Sequence, residues 1–147
     1  MTNDELKEVF TRKRRKIERK AKKRGNVVEK VIDGFETISL EQFVNWFNIE
    51  EFNRGCNYCG ITNAETKRLY DAQIAGPRMD GTRGGKRGKR LELDRRDPRE
   101  HYDNLNNLVW CCYWCNNAKS NFFTETEFRP IGLAIGTALR SILQNID

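Results

Sequence analysis

The sequence has no long hydrophobic run. Nothing in it approaches the roughly 20 consecutive apolar residues that a membrane-spanning helix needs, and no membrane partner is expected. The opening residues, MTNDELKEVF, lack the apolar segment that directs secretion, which implies a protein kept in a reducing cytoplasm. Apolar residues are scarce overall, with 37% hydrophobic against 33% charged over 147 residues. That balance suits one compact domain with a modest core, and modest cores are often stapled by a metal or by disulfides. In a reducing compartment the five cysteines are metal ligands or free thiols before they are disulfides. Histidine is almost absent, His101 being the only one, and no cysteine precedes Cys56. There is no internal repeat.

Positive charge is plentiful and arrives in blocks. The net charge is +6, yet Thr11 to Arg24 holds ten Lys or Arg and one Glu, and Arg78 to Arg90 holds six Lys or Arg and one Asp. The remainder is therefore acidic. Two concentrated basic blocks are the footprint of a protein that lies along a polyanion, with salt-sensitive affinity from counterion release. Double-stranded DNA is the expected partner. Arg12, Arg14, Arg15, Arg19, Lys22 and Lys23 from the first block, and Arg83, Lys86, Arg87, Lys89 and Arg90 from the second, are its candidate contacts. A solvated helix face plus a polar loop is the plainer reading of the same charges.

Four segments divide the chain. Residues 1–25 read as a basic helical arm, because Leu6, Val9, Phe10, Ile17 and Ala21 recur with largely helical spacing and Gly25 suits a C-cap. Residues 26–55 read as a strand, a turn at Asp33-Gly34 and a returning strand, then a helix packing on the core. Ser39 and Gln42 fit a capping box for that helix, with Leu40, Phe43, Trp46 and Phe47 on its apolar face. Residues 56–123 form the cysteine-bearing core, and residues 124–147 a C-terminal helix with Phe128, Ile131, Ile135, Leu139, Ile142 and Ile146 as its stripe. Within the third segment, the glycine-rich stretch from Gly76 to Arg90 reads as a mobile loop. Leu91 to Leu93 and Leu108 to Cys111 read as strands, and Cys112 to Asn121 as a helix start.

Cys56-x2-Cys59 and Cys112-x2-Cys115 are two matched pairs. Thiolates at that spacing sit on tight knuckles and close around one tetrahedral Zn²⁺ from two sides. A knuckle, a β-hairpin and a helix whose first turn supplies the second pair make a treble clef, so the fold class is α+β with flanking terminal helices. Cys111 lies one residue off the spacing and reads as buried strand. Zinc held by four thiolates has no open position for catalysis, so any chemistry lies beside it. Asn116 follows the last cysteine, and a hairpin packed on that helix brings Asp94 close to it. A carboxylate and an amide oxygen are hard ligands suited to Mg²⁺ or Mn²⁺.

Cys-x2-Cys, a strand ending in Asp94, an Asn-Leu in the connecting loop and Cys-x2-Cys-Asn-x2-Lys-Ser together resemble the HNH, or ββα-metal, endonucleases over about Cys56 to Asn121. The resemblance implies a metal-dependent DNA endonuclease leaving 5′-phosphate and 3′-hydroxyl ends, with Asp94 and Asn116 on the catalytic ion. Asn104 would pin the loop through backbone hydrogen bonds, with Asn106 and Asn107 as neighbouring alternatives, and Lys119 would lie near the DNA backbone. HNH enzymes usually carry histidine after that aspartate as general base. Here Arg95 stands there, and an arginine stays protonated and cannot take a proton in an ordinary mechanism. Asp94-Arg95 and Cys56-Asn57-Tyr58-Cys59 resemble a narrower group, the PacI-like restriction endonucleases, which implies tyrosine in the histidine's role. Tyr58 is the first candidate base and His101 the second, with Tyr102, Tyr70 or bulk water as the remaining alternatives. Restriction, homing and phage roles stay open, as does a homodimer for cutting both strands. The rival reading is a zinc-stapled DNA-binding module without catalysis.

Overall fold

A computed structural model describes residues 1–21, 24–75 and 87–146. Among these residues it is a mixed α and β fold with two small antiparallel sheets. Contacts group the chain into two units, residues 1–47 with 100–107, and residues 48–99 with 108–147.

In the first unit, α1 (Asn3–Arg12) opens on a capping box made by Thr2 and Glu5. β1 (Lys16–Ala21) and β2 (Val27–Ile32) pair antiparallel, from Lys16↔Ile32 to Ala21↔Val27. This corrects the long basic helix expected over residues 1–25. Ile17 and Ala21 are four apart, a spacing that fits both a helix face and one face of a strand. The β-branched run at Val27 to Ile32 supplies the strand partner that decides between them. Gly25 is not a helix cap but sits at φ +77° beside Arg24 at φ +86°. β2 therefore pairs backwards with β1, and no return strand follows Asp33-Gly34. Instead the Phe35 amide donates to the Lys13 carbonyl at 2.8 Å, and the Arg15 amide to the Phe35 carbonyl at 3.1 Å. A Cβ on Gly34 would lie 1.9 Å from that Lys13 oxygen, so the approach requires glycine.

α2 (Leu40–Trp46) starts at Ser39 with the expected Ser39/Gln42 capping box. Its Phe43 is fully buried and joins Phe10, Phe35 and Trp46 in a cluster with ring centroids 5.1 to 5.7 Å apart. Phe10, Phe35 and Phe43 are buried core, and Trp46 is half-buried at its edge. Asp103 braces the same unit: its carboxylate accepts from the amides of Glu36 and Thr37 at 3.0 Å each, and from the Thr37 hydroxyl at 2.9 Å.

The second unit contains α3 (Ile49–Asn53), α4 (Asn63–Ala75), β3 (Glu92–Arg95), β4 (Leu108–Cys111), α5 (Tyr113–Lys119) and α6 (Glu125–Ile146). β3 and β4 form a hairpin with Asp94 opposite Val109 and Arg95 opposite Leu108. All four β4 residues are buried, Cys111 completely. The loop expected over residues 76–90 falls mostly outside the described residues. The expected α6 stripe is rotated: Phe128, Gly132, Gly136, Leu139 and Leu143 are buried, while Ile131, Ile142 and Ile146 are exposed. The reason is close approach. A Cβ on Gly132 would lie 2.7 Å from Tyr58 Cβ, and one on Gly136 2.7 Å from the Cys59 carbonyl oxygen. Two glycines a turn apart let α6 press on the first cysteine knuckle. Among the described residues, no helix is long and apolar enough to cross a membrane.

Candidate active site and metal centre

The first knuckle is folded by its own backbone. Cys56 N–H donates to the Ile61 carbonyl and Gly60 N–H to the Cys56 carbonyl, both at 2.8 Å. Gly55 at φ +93° and Gly60 at φ +73° make the turns that this requires. The Asn57 amide donates to Trp110 O of β4 at 2.9 Å, which docks the knuckle against the hairpin. The second pair enters from β4 through Cys112, the N-cap of α5, whose Sγ accepts from Cys115 N–H at 3.4 Å. Cys56, Cys59, Cys112 and Cys115 are all buried, and their sulfurs lie within 4.8 Å of one another. Tetrahedral thiolates at about 2.3 Å from an ion stand about 3.8 Å apart, and the Cys59 and Cys112 sulfurs are 3.6 Å apart. Hydrogen bonds shared among the four thiols pull Cys56 and Cys59 below their ordinary values and, with burial, push Cys112 and Cys115 above them. Four buried sulfurs at these separations fit a divalent cation, and Cys111 is not among them.

Asp94 lies at the end of β3, 6% exposed. The Tyr58 hydroxyl donates to its Oδ2 at 2.6 Å. Lys119, fully buried, places Nζ 3.1 Å from the same oxygen and donates to the Arg95 carbonyl at 2.6 Å. Tyr58 is itself 2% exposed, and burial, followed by the Asp94 charge, pushes its phenol far above the ordinary tyrosine value. Tyr58 is thus a proton donor to Asp94. Lys119 is an internal cation and not a surface contact for a DNA backbone. Its burial is tolerable because a carboxylate and a carbonyl meet its charge.

Strand alternation puts Glu92 and Asp94 on one face of β3 and Leu93 and Arg95 on the other. Asn116 on α5 donates from Nδ2 to Glu92 Oε2 at 2.8 Å. Glu92 also takes Arg87 in a two-point ion pair, at 3.1 Å to Oε1 and 2.6 Å to Oε2. Arg95 is 7% exposed, and its guanidinium donates to Asn121 Oδ1 at 3.1 Å. At the other edge of the hairpin, Arg96 donates to both Glu125 oxygens at 2.8 Å, and Asn57 Nδ2 to Glu125 Oε1 at 2.8 Å. That cluster ties β3, the knuckle and the start of α6 together.

The remaining sequence candidates lie elsewhere. His101 and Asn104 belong to the first unit. His101 Nδ1 is 3.4 Å from Asp103 Oδ2, and its Nε2 is 3.6 Å from Glu36 Oε2. Those three side chains bring ligand atoms together, but the Asp103 carboxylate is already engaged by loop amides. Asn104 is exposed, and its side chain donates to Glu100. Asn107 is the buried asparagine of this loop, at 6% exposure. Arg12, Arg15 and Arg19 are exposed and paired with Glu8, Glu36 and Glu29, and Arg14 lies over the Phe10 ring at 6.0 Å. Lys89 is exposed and Arg90 half-buried. Lys22, Lys23, Arg83 and Lys86 fall outside the described residues.

Glu92 and the two α6 glycines were missed from the sequence. Glu92 had a signal, since it stands two residues before Asp94 and shares its strand face.

Neither a family model nor a curated protein matches the chain. Among solved structures it is similar to the rare-cutting HNH restriction endonuclease PacI, with 30% sequence identity and a TM-score of 0.55, covering 74% of this chain and 68% of that one. The chain belongs to the HNH family. Its four buried cysteines are positioned to bind a metal ion.

Proposed function

We propose that this protein is a metal-dependent DNA endonuclease with a zinc-stapled ββα-metal core of treble-clef form. The observation that carries the reading is Asp94. It is a buried carboxylate bonded to Tyr58 beside the four-cysteine cluster, in a chain related to an HNH restriction endonuclease.

Cys56, Cys59, Cys112 and Cys115 would hold one structural Zn²⁺ that keeps the hairpin and α5 in register. Asp94 and Asn116 would hold a Mg²⁺ or Mn²⁺ ion, which when bound stabilises charge on the scissile phosphate and the leaving 3′ oxygen. Lys119 and Tyr58 both engage Oδ2 of Asp94, which would leave Oδ1 to ligate the ion. Arg95 supplies a permanent positive charge beside the phosphate in place of the family histidine. Tyr58 would take the proton from the attacking water after passing its own, which it already directs at Asp94 Oδ2, to that carboxylate, with His101 as the second candidate. Asn104 steadies the loop that leads into β4. Hydrolysis leaves 5′-phosphate and 3′-hydroxyl ends. The exposed arginines and lysines of the two basic blocks grip the duplex and carry sequence preference in a restriction, homing or phage role within the cytoplasm. One site cuts one strand, so a double-strand break takes a homodimer or two binding events.

Sequencing the ends generated on a genomic DNA library tests this reading. Ends bearing 5′-phosphates, enriched in the presence of Mg²⁺ or Mn²⁺, are expected, and an end profile identical with and without metal contradicts it.

A catalytically inactive DNA-binding module is the second reading, and one observation favours it. The Lys119 ammonium already meets the Asp94 charge, and Tyr58 donates its proton to the same oxygen.

A further inference from the structure

Asn116 offers a metal ion one oxygen and one nitrogen on the same amide, and only the oxygen can ligate. What fixes which end points where is Glu92. A carboxylate accepts hydrogen bonds and cannot donate them, so the 2.8 Å contact between Asn116 and Glu92 Oε2 must be made through Nδ2. Covalent geometry then turns Oδ1 away from Glu92. Asp94 is the next acidic residue on that strand face, and α5 runs alongside β3 so that Asn116 meets Glu92 while Lys119, three residues on, meets Asp94.

Glu92 is itself a liability next to a cation, since a free carboxylate there would compete for the ion. Arg87 removes that liability. Its guanidinium takes both Glu92 oxygens, at 3.1 and 2.6 Å, and its other terminal nitrogen reaches Asn117 Oδ1 at 3.4 Å.

The geometry points to Glu92 as a positioning residue: neutralised by Arg87, it anchors the Asn116 amide so that Oδ1 faces the ion shared with Asp94. The inference rests on the Asp94–Asn116 metal site proposed above, and it gives Arg87 a role within the site besides its place in the basic block.

The test is Mn²⁺ binding by the full-length, zinc-loaded protein without DNA, followed by electron paramagnetic resonance, with zinc content as the control for folding. Loss of a group that orients a metal ligand typically weakens binding by about 10- to 100-fold. E92A is expected to lose affinity in that range. E92Q is expected to stay near wild type, because the glutamine oxygen still accepts from Asn116; a merely structural Glu92–Arg87 ion pair predicts equal loss in both. N116D adds a carboxylate yet is expected to bind worse, because its new oxygen faces Glu92. The double variant E92Q/N116D is expected to recover, since the amide introduced on β3 can donate to the carboxylate introduced on α5. Unchanged affinity in E92A, or N116D binding as well as wild type, overturns the inference while leaving the site intact. Wild-type Mn²⁺ binding that D94N does not alter overturns the metal site itself and the inference with it.

Discussion

The Tyr58 hydroxyl and the Lys119 ammonium meet on one oxygen of Asp94, at 2.6 and 3.1 Å. The phenol comes from the first cysteine knuckle, the ammonium from α5 and the carboxylate from the end of β3. One oxygen thus records how the knuckle, helix and hairpin are held around the cysteine cluster.

That arrangement decides which Asp94 variant is informative. Asp94→Ala leaves the buried Lys119 charge without its carboxylate, and breaking a buried pair from one side costs about 3–5 kcal/mol. Asp94→Asn keeps an acceptor for both neighbours and is expected to lose much less. Chemical denaturation of the two variants beside wild type checks the order.

Tyr58→Phe removes one hydroxyl from a packed ring and keeps the edge-on contact with Phe128. DNA cleavage is expected to fall by about 100- to 10,000-fold, the range for loss of a proton-transfer group, with zinc content and DNA affinity unchanged. Normal cleavage by this variant, with loss in His101→Ala, would move the base to His101.

Zinc content separates the two adjacent cysteines. Cys112→Ala removes a member of the sulfur cluster and is expected to lower bound zinc well below one per chain. Cys111→Ala is expected to keep full zinc, because Cys111 is buried in β4 outside the cluster. A colorimetric zinc assay on the purified variants reads this directly.

Gly132→Ala drives a methyl into Tyr58 Cβ at 2.7 Å and the Tyr58 carbonyl oxygen at 3.0 Å. Overpacking of this kind costs about 1–3 kcal/mol, outweighing the gain in helix propensity of about 1 kcal/mol that alanine brings. A lowered melting temperature is expected. The same exchange at Gly25, where nothing lies within 4 Å, meets only its positive φ.

Asp103 gives the first unit an acid-sensitive brace. Burial pushes its carboxyl up, but hydrogen bonds from Thr37, Glu36 and Ile38 outweigh this and leave it below the ordinary value. A depressed carboxylate stabilises fully above its unfolded value, and the contribution drains away as pH falls through the folded one. Asp103→Asn is therefore expected to be less stable than wild type near neutrality, with the gap closing in acid. Denaturation curves across that range measure it.

The cysteine cluster is legible in the sequence because the x2 spacing is a local constraint that few other functions impose. β3, β4, α2, α5 and α6 are legible as elements because each is bounded by a cap, a turn or a run of fixed period. α1 and β1 run together in the sequence because Ile17 and Ala21 satisfy both periods, and a partner strand further along the chain makes the choice. Lys119 reads as a surface cation because nothing local announces burial, which depends on Asp94 and the Arg95 carbonyl more than twenty residues earlier. Gly132 and Gly136 hide among the isoleucines, although the structure packs α6 through the glycines.

Incubating supercoiled plasmid with Mg²⁺ or Mn²⁺, wild-type protein and Asp94→Asn tests the central claim most directly. The expected result is nicked or linear DNA with wild type alone. No cutting under either metal, or equal cutting by Asp94→Asn, would contradict it.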